Sequence, residues 1–138
     1  MATGPGVVVA VDVGTVRVGV AASDPHRILA SPVETVAAPG LQRVAEIITQ
    51  RDAVLVVVGL PTSLSGQSLS ASAAMARDWA RELADLVPVP VELVDERLTT
   101  VTATRALQSS GKKGKQARAV IDQAAAVALL QTVLDRRP

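Results

Sequence analysis

Two uninterrupted runs of β-branched and small apolar residues constrain the fold of this chain more than any other feature. Val7–Val11 and Ala53–Val58 contain no polar side chain. A half-exposed strand would alternate apolar and polar residues, so runs of this kind predict strands that are buried on both faces. Such strands need a layer of helices on each side, which predicts an α/β architecture.

The lengths of the connections predict how the strands pair. Val16–Ala22 and Arg27–Val36 follow the first run after only a few residues. These connections are too short for a crossover helix and therefore predict a three-stranded antiparallel meander. Ala53–Val58 and Val91–Val94 each follow a helical pattern and predict parallel strands. The expected fold is a mixed five-stranded sheet, the antiparallel meander plus parallel strands, with helices on both faces.

Four helical segments complete the predicted order β-β-β-α-β-α-β-α-α. Apolar residues spaced by threes and fours, together with capping residues, predict helices over about 41–51, 69–86, 99–109 and 116–134. Thr99 or Thr100 would cap the third helix, and a Gly/Lys loop, Gly111–Lys115, would precede the last. With 138 residues, no internal repeat and no linker, residues 1–138 are expected to form a single domain.

The residue types that are missing exclude several functions. There is no cysteine and one histidine, His26, so zinc–thiolate, thiol-nucleophile and multi-histidine sites are excluded. A catalytic metal would need oxygen ligands, which favours Mg²⁺ or Mn²⁺. Trp79 is the only aromatic residue and lies on a helical apolar stripe, so we expect it in the core. Base-stacking platforms are therefore excluded as well.

The first residues lack the basic and apolar segments of a signal peptide. The longest later apolar run, Ala124–Leu130, is seven residues long and is too short to span a bilayer. The sequence therefore predicts a cytoplasmic protein with no membrane partner.

Positive charge is concentrated in one segment although the net charge is only +1. Residues 97–121 contain no acid and six basic residues: Arg97, Arg105, Lys112, Lys113, Lys115 and Arg118. Such a segment on an otherwise acidic chain favours contact with a polyanion, the alternative being a solvated loop. Gly14 and Gly19 flank Arg17 and resemble a place where the backbone approaches a phosphate.

Three acidic residues are expected to meet at one edge of the sheet. Asp12 ends the first strand and Glu96 follows the last, and the carboxyl ends of parallel strands share one edge. Asp122 lies on the predicted core-facing stripe of the final helix. Carboxylates gathered in a low-dielectric place repel one another unless a cation neutralises them. The pattern predicts a Mg²⁺ or Mn²⁺ site that activates water for attack on a phosphodiester.

Each acid also has a structural alternative. Asp12 could stabilise the following turn, because aspartate favours turns. Glu96 could form an exposed ion pair with Arg97. Asp122 could pair with Arg118 one turn earlier on the helix.

Four blocks, in order from Val8 to Leu134, resemble the YqgF/RuvX family. They are D-V-G-T-V-R-V-G-V-A-A-S-D at Asp12–Asp24, V-G-L-P-T-S-L-S-G at Val58–Gly66, D-E-R-L-T-T at Asp95–Thr100 and I-D-Q-A-A-A-V-A-L-L-Q at Ile121–Gln131. Together they cover nearly the whole chain, so the match is specific.

The resemblance implies an RNase H-like nuclease that matures the 5′ end of pre-16S rRNA in the cytoplasm. It carries over Asp12, Glu96 and Asp122 as catalytic acids and metal ligands. We expect the nucleic acid to be bound by Arg17, Arg97, Lys112, Lys113, Lys115 and Arg118. One departure is that related resolvases often bring a fourth acid from the last helix, where this chain has Gln123, Ala125 and Ala126 after Asp122.

Three other functions remain as alternatives. The chain could resolve four-way DNA junctions, or it could be a non-catalytic nucleic-acid-binding module, against which the intact acid trio argues. Asp12-Val-Gly-Thr also resembles the opening of actin-like nucleotide-binding proteins, but those build their cleft between two such domains and 138 residues supply one. The sequence does not decide whether the substrate is RNA or DNA, or whether the chain forms a homodimer.

Overall fold

The computed structural model describes residues 6–61, 70–96 and 115–136, with side chains for all of these except residues 70 and 115–122. The described elements are the strands β1 (Val7–Val13), β2 (Arg17–Ser23), β3 (Ala30–Ala37), β4 (Ala53–Leu60) and β5 (Val91–Asp95) and the helices α1 (Leu41–Gln50), α2 (Ser70–Leu86) and α3 (Lys115–Arg136). Each agrees with a predicted element to within about three residues. The helix expected after Thr99 and residues 111–114 of the Gly/Lys loop lie outside the described residues.

The five strands form one sheet in the order β3-β2-β1-β4-β5. β1, β2 and β3 pair antiparallel, whereas β4 is parallel to both β1 and β5. The prediction of an antiparallel meander extended by parallel strands is confirmed. The carboxyl ends of β1, β4 and β5 therefore meet at one edge of the sheet, which we call the carboxyl edge.

The buried strands separate two apolar clusters. In β1, Val9 and Val11 pack with α1 and α2, while Val8 and Ala10 pack with α3. This alternation follows from the two-residue period of a strand, and it confirms helices on both faces. Trp79 lies in the first cluster, where its indole N–H donates a 2.6 Å hydrogen bond to the carbonyl of Pro39. Among the described helices, none is long and apolar enough to cross a membrane.

The third strand begins later than predicted, at Ala30 rather than Arg27. The Asp24 carboxylate accepts three hydrogen bonds of 2.8–3.0 Å from backbone N–H groups in the turn, those of His26, Ile28 and Leu29. The amide of Leu29 contributes most to holding the pKa of this carboxyl below its usual value. Arg27 has a φ of 61°, which is incompatible with a strand. The aspartate-capped turn therefore replaces the start of the predicted strand.

Candidate active site

Asp12 lies near the end of β1 and is only 4% exposed. It pairs with Gly19 of β2, so it belongs to the ladder rather than to the turn that follows. The alternation that turns Val8 and Ala10 towards α3 places Asp12 on that same face of the sheet. A buried carboxylate thus stands at the carboxyl edge, beneath α3.

Glycines occupy the neighbouring strands on both sides of Asp12. Gly19 is its partner on β2. On β4, Val58 pairs with Val11, so the next residue, Gly59, lies beside Asp12. Because glycine has no side chain, neither neighbour fills the space next to the Asp12 carboxylate. Only a group from another element, or a ligand, can occupy that space.

The Glu96 side chain lies across Gly59. A Cβ built on Gly59 would be 2.8 Å from Glu96 Oε1 and 3.3 Å from Leu129 Cδ2, so both side chains lie next to this glycine. Glu96 directly follows β5 and is 7% exposed. Glu96 is therefore not exposed as the ion-pair alternative requires, and Arg97, its partner in that alternative, lies outside the described residues. Asp12 and Glu96 lie on one face and at one edge of the sheet, each next to Gly59.

Two buried carboxylates so arranged fit a divalent cation. Moving charged carboxylates out of water is costly, and like charges disfavour each other's ionised form. A cation with a preference for oxygen ligands removes both penalties. Among the side chains that the structure describes, no group of three or more histidine, cysteine, aspartate or glutamate residues could hold a metal ion. Of the three predicted ligands, Asp12 and Glu96 are the two whose side chains are described.

The third predicted acid, Asp122, lies in α3, one turn before the fully buried Ala125 and Ala126. Its side chain is outside the described set. A hydrogen bond of 2.9 Å from Gln123 Nε2 to Thr35 Oγ1 nevertheless locates this part of the helix. Thr35 pairs with Gly19, the partner of Asp12. The backbone of residue 122 therefore stands near the carboxyl edge, as the prediction requires.

Of the predicted nucleic-acid-binding residues, Arg17 is the one whose side chain is described. It begins β2, two residues before Gly19, and the two-residue period puts it on the same face and edge as Asp12. The Gly14 N–H donates 2.9 Å to the Arg17 carbonyl and closes the turn between β1 and β2. Arg97, Lys112 and Lys113 lie outside the described residues, as do the side chains of Lys115 and Arg118.

The sequence analysis missed the part that Gly59 plays in the site. The segment Gly59-Leu60-Pro61 belongs to one of the family-like blocks but carries no catalytic group, so its pattern alone does not predict a place in the site. A glycine inside an otherwise β-branched strand is itself a signal, because it often marks the close approach of another group. Here that group is Glu96.

Comparison with known proteins shows the family of the chain. A family model described as "RuvX: Holliday junction resolvase" matches residues 6–136. A Mycobacterium ulcerans protein named "Putative pre-16S rRNA nuclease" is 53% identical over 98% of this chain and 82% of its own length. A Mycobacterium leprae protein of the same name is 56% identical over 91% of this chain and 71% of its own length.

A solved structure shows the same fold. Thermus thermophilus RuvC, in complex with Holliday junction substrate, matches with a TM-score of 0.56 and 18% identity, over 92% of each chain. At this identity the likeness bears on the fold alone. The RNase H-like architecture expected from the sequence blocks is confirmed.

Proposed function

The chain belongs to the RuvX family, and we propose that it is a divalent-metal-dependent nuclease that processes the 5′ end of pre-16S rRNA in the cytoplasm. The observation that carries this proposal is the pair of buried carboxylates at the carboxyl edge, Asp12 beside Gly59 and Glu96 over it. The names of relatives more than 50% identical favour ribosomal RNA as the substrate.

The proposed reaction is hydrolysis, in which water adds to a phosphorus atom and one phosphorus–oxygen ester bond breaks. Asp12, Glu96 and Asp122 would hold Mg²⁺ or Mn²⁺ through carboxylate oxygens. When bound, the metal supplies an activated water and stabilises charge on the leaving oxygen. Burial of Asp12 and Glu96 excludes bulk water, which strengthens their attraction for cations. Arg17, on the same face and edge, would bind a phosphate beside the scissile one.

Resolution of four-way DNA junctions is the second candidate. The family model's description favours it, and the proposed chemistry acts on DNA and RNA alike. The test compares purified protein with Mg²⁺ or Mn²⁺ on a pre-16S rRNA 5′ fragment and on a four-way DNA junction at equal concentration. Faster cleavage of the RNA fragment supports the proposal, and faster junction cleavage supports the second candidate. Cleavage that needs no divalent metal, or binding of the substrates without cleavage, would contradict both candidate functions.

We expect the three lysines of the Gly/Lys loop to grip phosphates. Changing Lys112, Lys113 and Lys115 together to alanine should reduce the steepness of the slope of log affinity against log salt concentration by about 2–3. Each lost phosphate contact accounts for roughly 0.7–0.9 of this slope. Binding isotherms at several salt concentrations measure this slope. The matched control is Arg81→Ala, because Arg81 is exposed on α2 across the sheet from α3. If the triple variant keeps the wild-type slope, these lysines make no phosphate contact.

A further inference from the structure

Two glutamines attach α3 to the hairpin of β2 and β3, which we call the β3 hairpin. One lies near the middle of the helix and the other nearer its carboxyl end. Gln123 Nε2 donates to Thr35 Oγ1 at 2.9 Å. Gln131 Oε1 accepts from the Ala30 N–H at 2.9 Å, and its Nε2 donates to the Ile28 carbonyl at 3.0 Å. The two attachments are eight residues apart, which is about 12 Å along a helix. Each therefore fixes a different stretch of α3.

The remaining contacts of α3 with the sheet are largely apolar. The buried residues of α3 are alanine, leucine and valine, packed on residues such as Val8 and Val57. Apolar packing has little directionality, so it sets the height of the helix above the sheet more strongly than its position along its own axis. Hydrogen bonds require a narrow range of distance and angle. Among the described side chains of α3, residues 123–136, the two glutamines therefore supply directional restraints.

Only the Gln123 attachment lies at the carboxyl edge. Thr35, Gly19 and Asp12 are consecutive partners across β3, β2 and β1, so the Gln123–Thr35 bond lies in the same row as the buried aspartate. The Gln131 attachment holds residues 28 and 30, at the other end of the β3 hairpin. Gln123 also directly follows Asp122 in the helix.

We propose that Gln123 is a positioning residue for the metal site. Its bond to Thr35 sets where the backbone of residue 122 stands relative to Asp12 and Glu96. This inference rests on the proposed function, in which Asp122 is the third ligand. Displacing a ligand by as little as 1 Å is enough to weaken such a site markedly.

The test measures Mn²⁺ binding to the substrate-free protein by calorimetry, beside the thermal midpoint of unfolding. Gln123→Leu keeps the side-chain bulk and removes the amide, and Thr35→Val removes the hydroxyl. Each should weaken Mn²⁺ binding by about 10-fold, the size typical of groups that orient metal ligands. The double variant should bind Mn²⁺ no more weakly than the weaker-binding single variant, because both substitutions remove the same Gln123–Thr35 bond. Thr35→Ser keeps the hydroxyl and should restore binding to within twofold of wild type.

Gln131→Leu is the matched control, since it loses comparable bonds away from the carboxyl edge and should lower the thermal midpoint without changing Mn²⁺ affinity. If Gln123→Leu lowers the midpoint but binds Mn²⁺ as wild type does, the residue is only structural and the inference is wrong. Asp122→Asn separates this failure from that of the proposed function. If Asp122→Asn weakens binding while Gln123→Leu does not, the inference alone fails. If Asp122→Asn has no effect, or the wild-type protein binds no Mn²⁺, both fail.

Discussion

Asp12→Asn is expected to abolish cleavage while leaving the protein at least as stable as wild type. Asparagine keeps the shape of the side chain but removes the charge that holds a cation. Rates should fall by more than about 100-fold, beyond what is typical for groups that only orient ligands. The free energy of unfolding should be unchanged or slightly higher, because Asp12 and Glu96 are both buried and removing one charge relieves their repulsion. Cleavage assays at saturating Mg²⁺, with thermal unfolding in metal-free buffer, measure both effects.

Asp24→Asn is the matched control for this substitution. Asp24 accepts three backbone hydrogen bonds in the turn between β2 and β3, at the opposite edge of the sheet. The control should therefore cut at the wild-type rate even where it unfolds more readily. Full activity in Asp12→Asn, or equal losses in both variants, would contradict the assigned role of Asp12.

Gly59→Ala is expected to reduce activity by about 10–100-fold with little change in stability. The new Cβ would lie 2.8 Å from Glu96 Oε1 and 3.4 Å from Glu96 Cγ, so the glutamate must move. Its carboxylate is the far end of a flexible side chain, and alanine is favoured over glycine in a strand by about 0.5–1 kcal/mol. The free energy of unfolding should therefore stay within about 1 kcal/mol of wild type. Chemical denaturation and the steady-state cleavage rate measure the two quantities.

Gly6→Ala provides a comparable overlap away from the site. Its Cβ would lie 2.7 and 2.9 Å from the two Val54 methyl groups, just before β1 at the opposite edge. We expect this variant to lose about 1–3 kcal/mol from overpacking and to keep its activity. Wild-type activity in Gly59→Ala would show that Glu96 does not need its present position.

The sheet could be predicted from the sequence because its strands are marked by local patterns. The apolar runs of β1 and β4 and the short connections before β2 and β3 fix both the pairing and the parallel order. The start of β3 could not be predicted this way. Residues 27–29 resemble a strand continuing into Ala30, but the Asp24 carboxylate organises them as a turn. A side chain that bonds backbone several residues away overrides local propensity.

The positions of Asp12 and Glu96 at one edge of the sheet could be predicted from the sequence. The contacts around them could not. Asp12 lies near the end of β1 and Glu96 directly follows β5, so topology alone brings them to one edge. The Glu96 side chain lies against Gly59, which is 37 residues earlier in the chain. The bond between Gln123 and Thr35 spans 88 residues. A glycine inside a strand indicates that some group approaches it closely, but a local window does not identify a partner at such a separation.

The most direct test of the account is anomalous diffraction from crystals soaked in Mn²⁺, using wild type and Asp12→Asn. The account predicts an anomalous peak for Mn²⁺ at the carboxyl edge of the wild-type protein, within coordination distance of carboxylate oxygens of Asp12, Glu96 and Asp122. The peak should be absent in Asp12→Asn. The wild-type protein in solution should also cleave its substrate at the Mn²⁺ concentration used for the soak. An active protein with no Mn²⁺ between these carboxylates, or with Mn²⁺ bound elsewhere, would contradict the account.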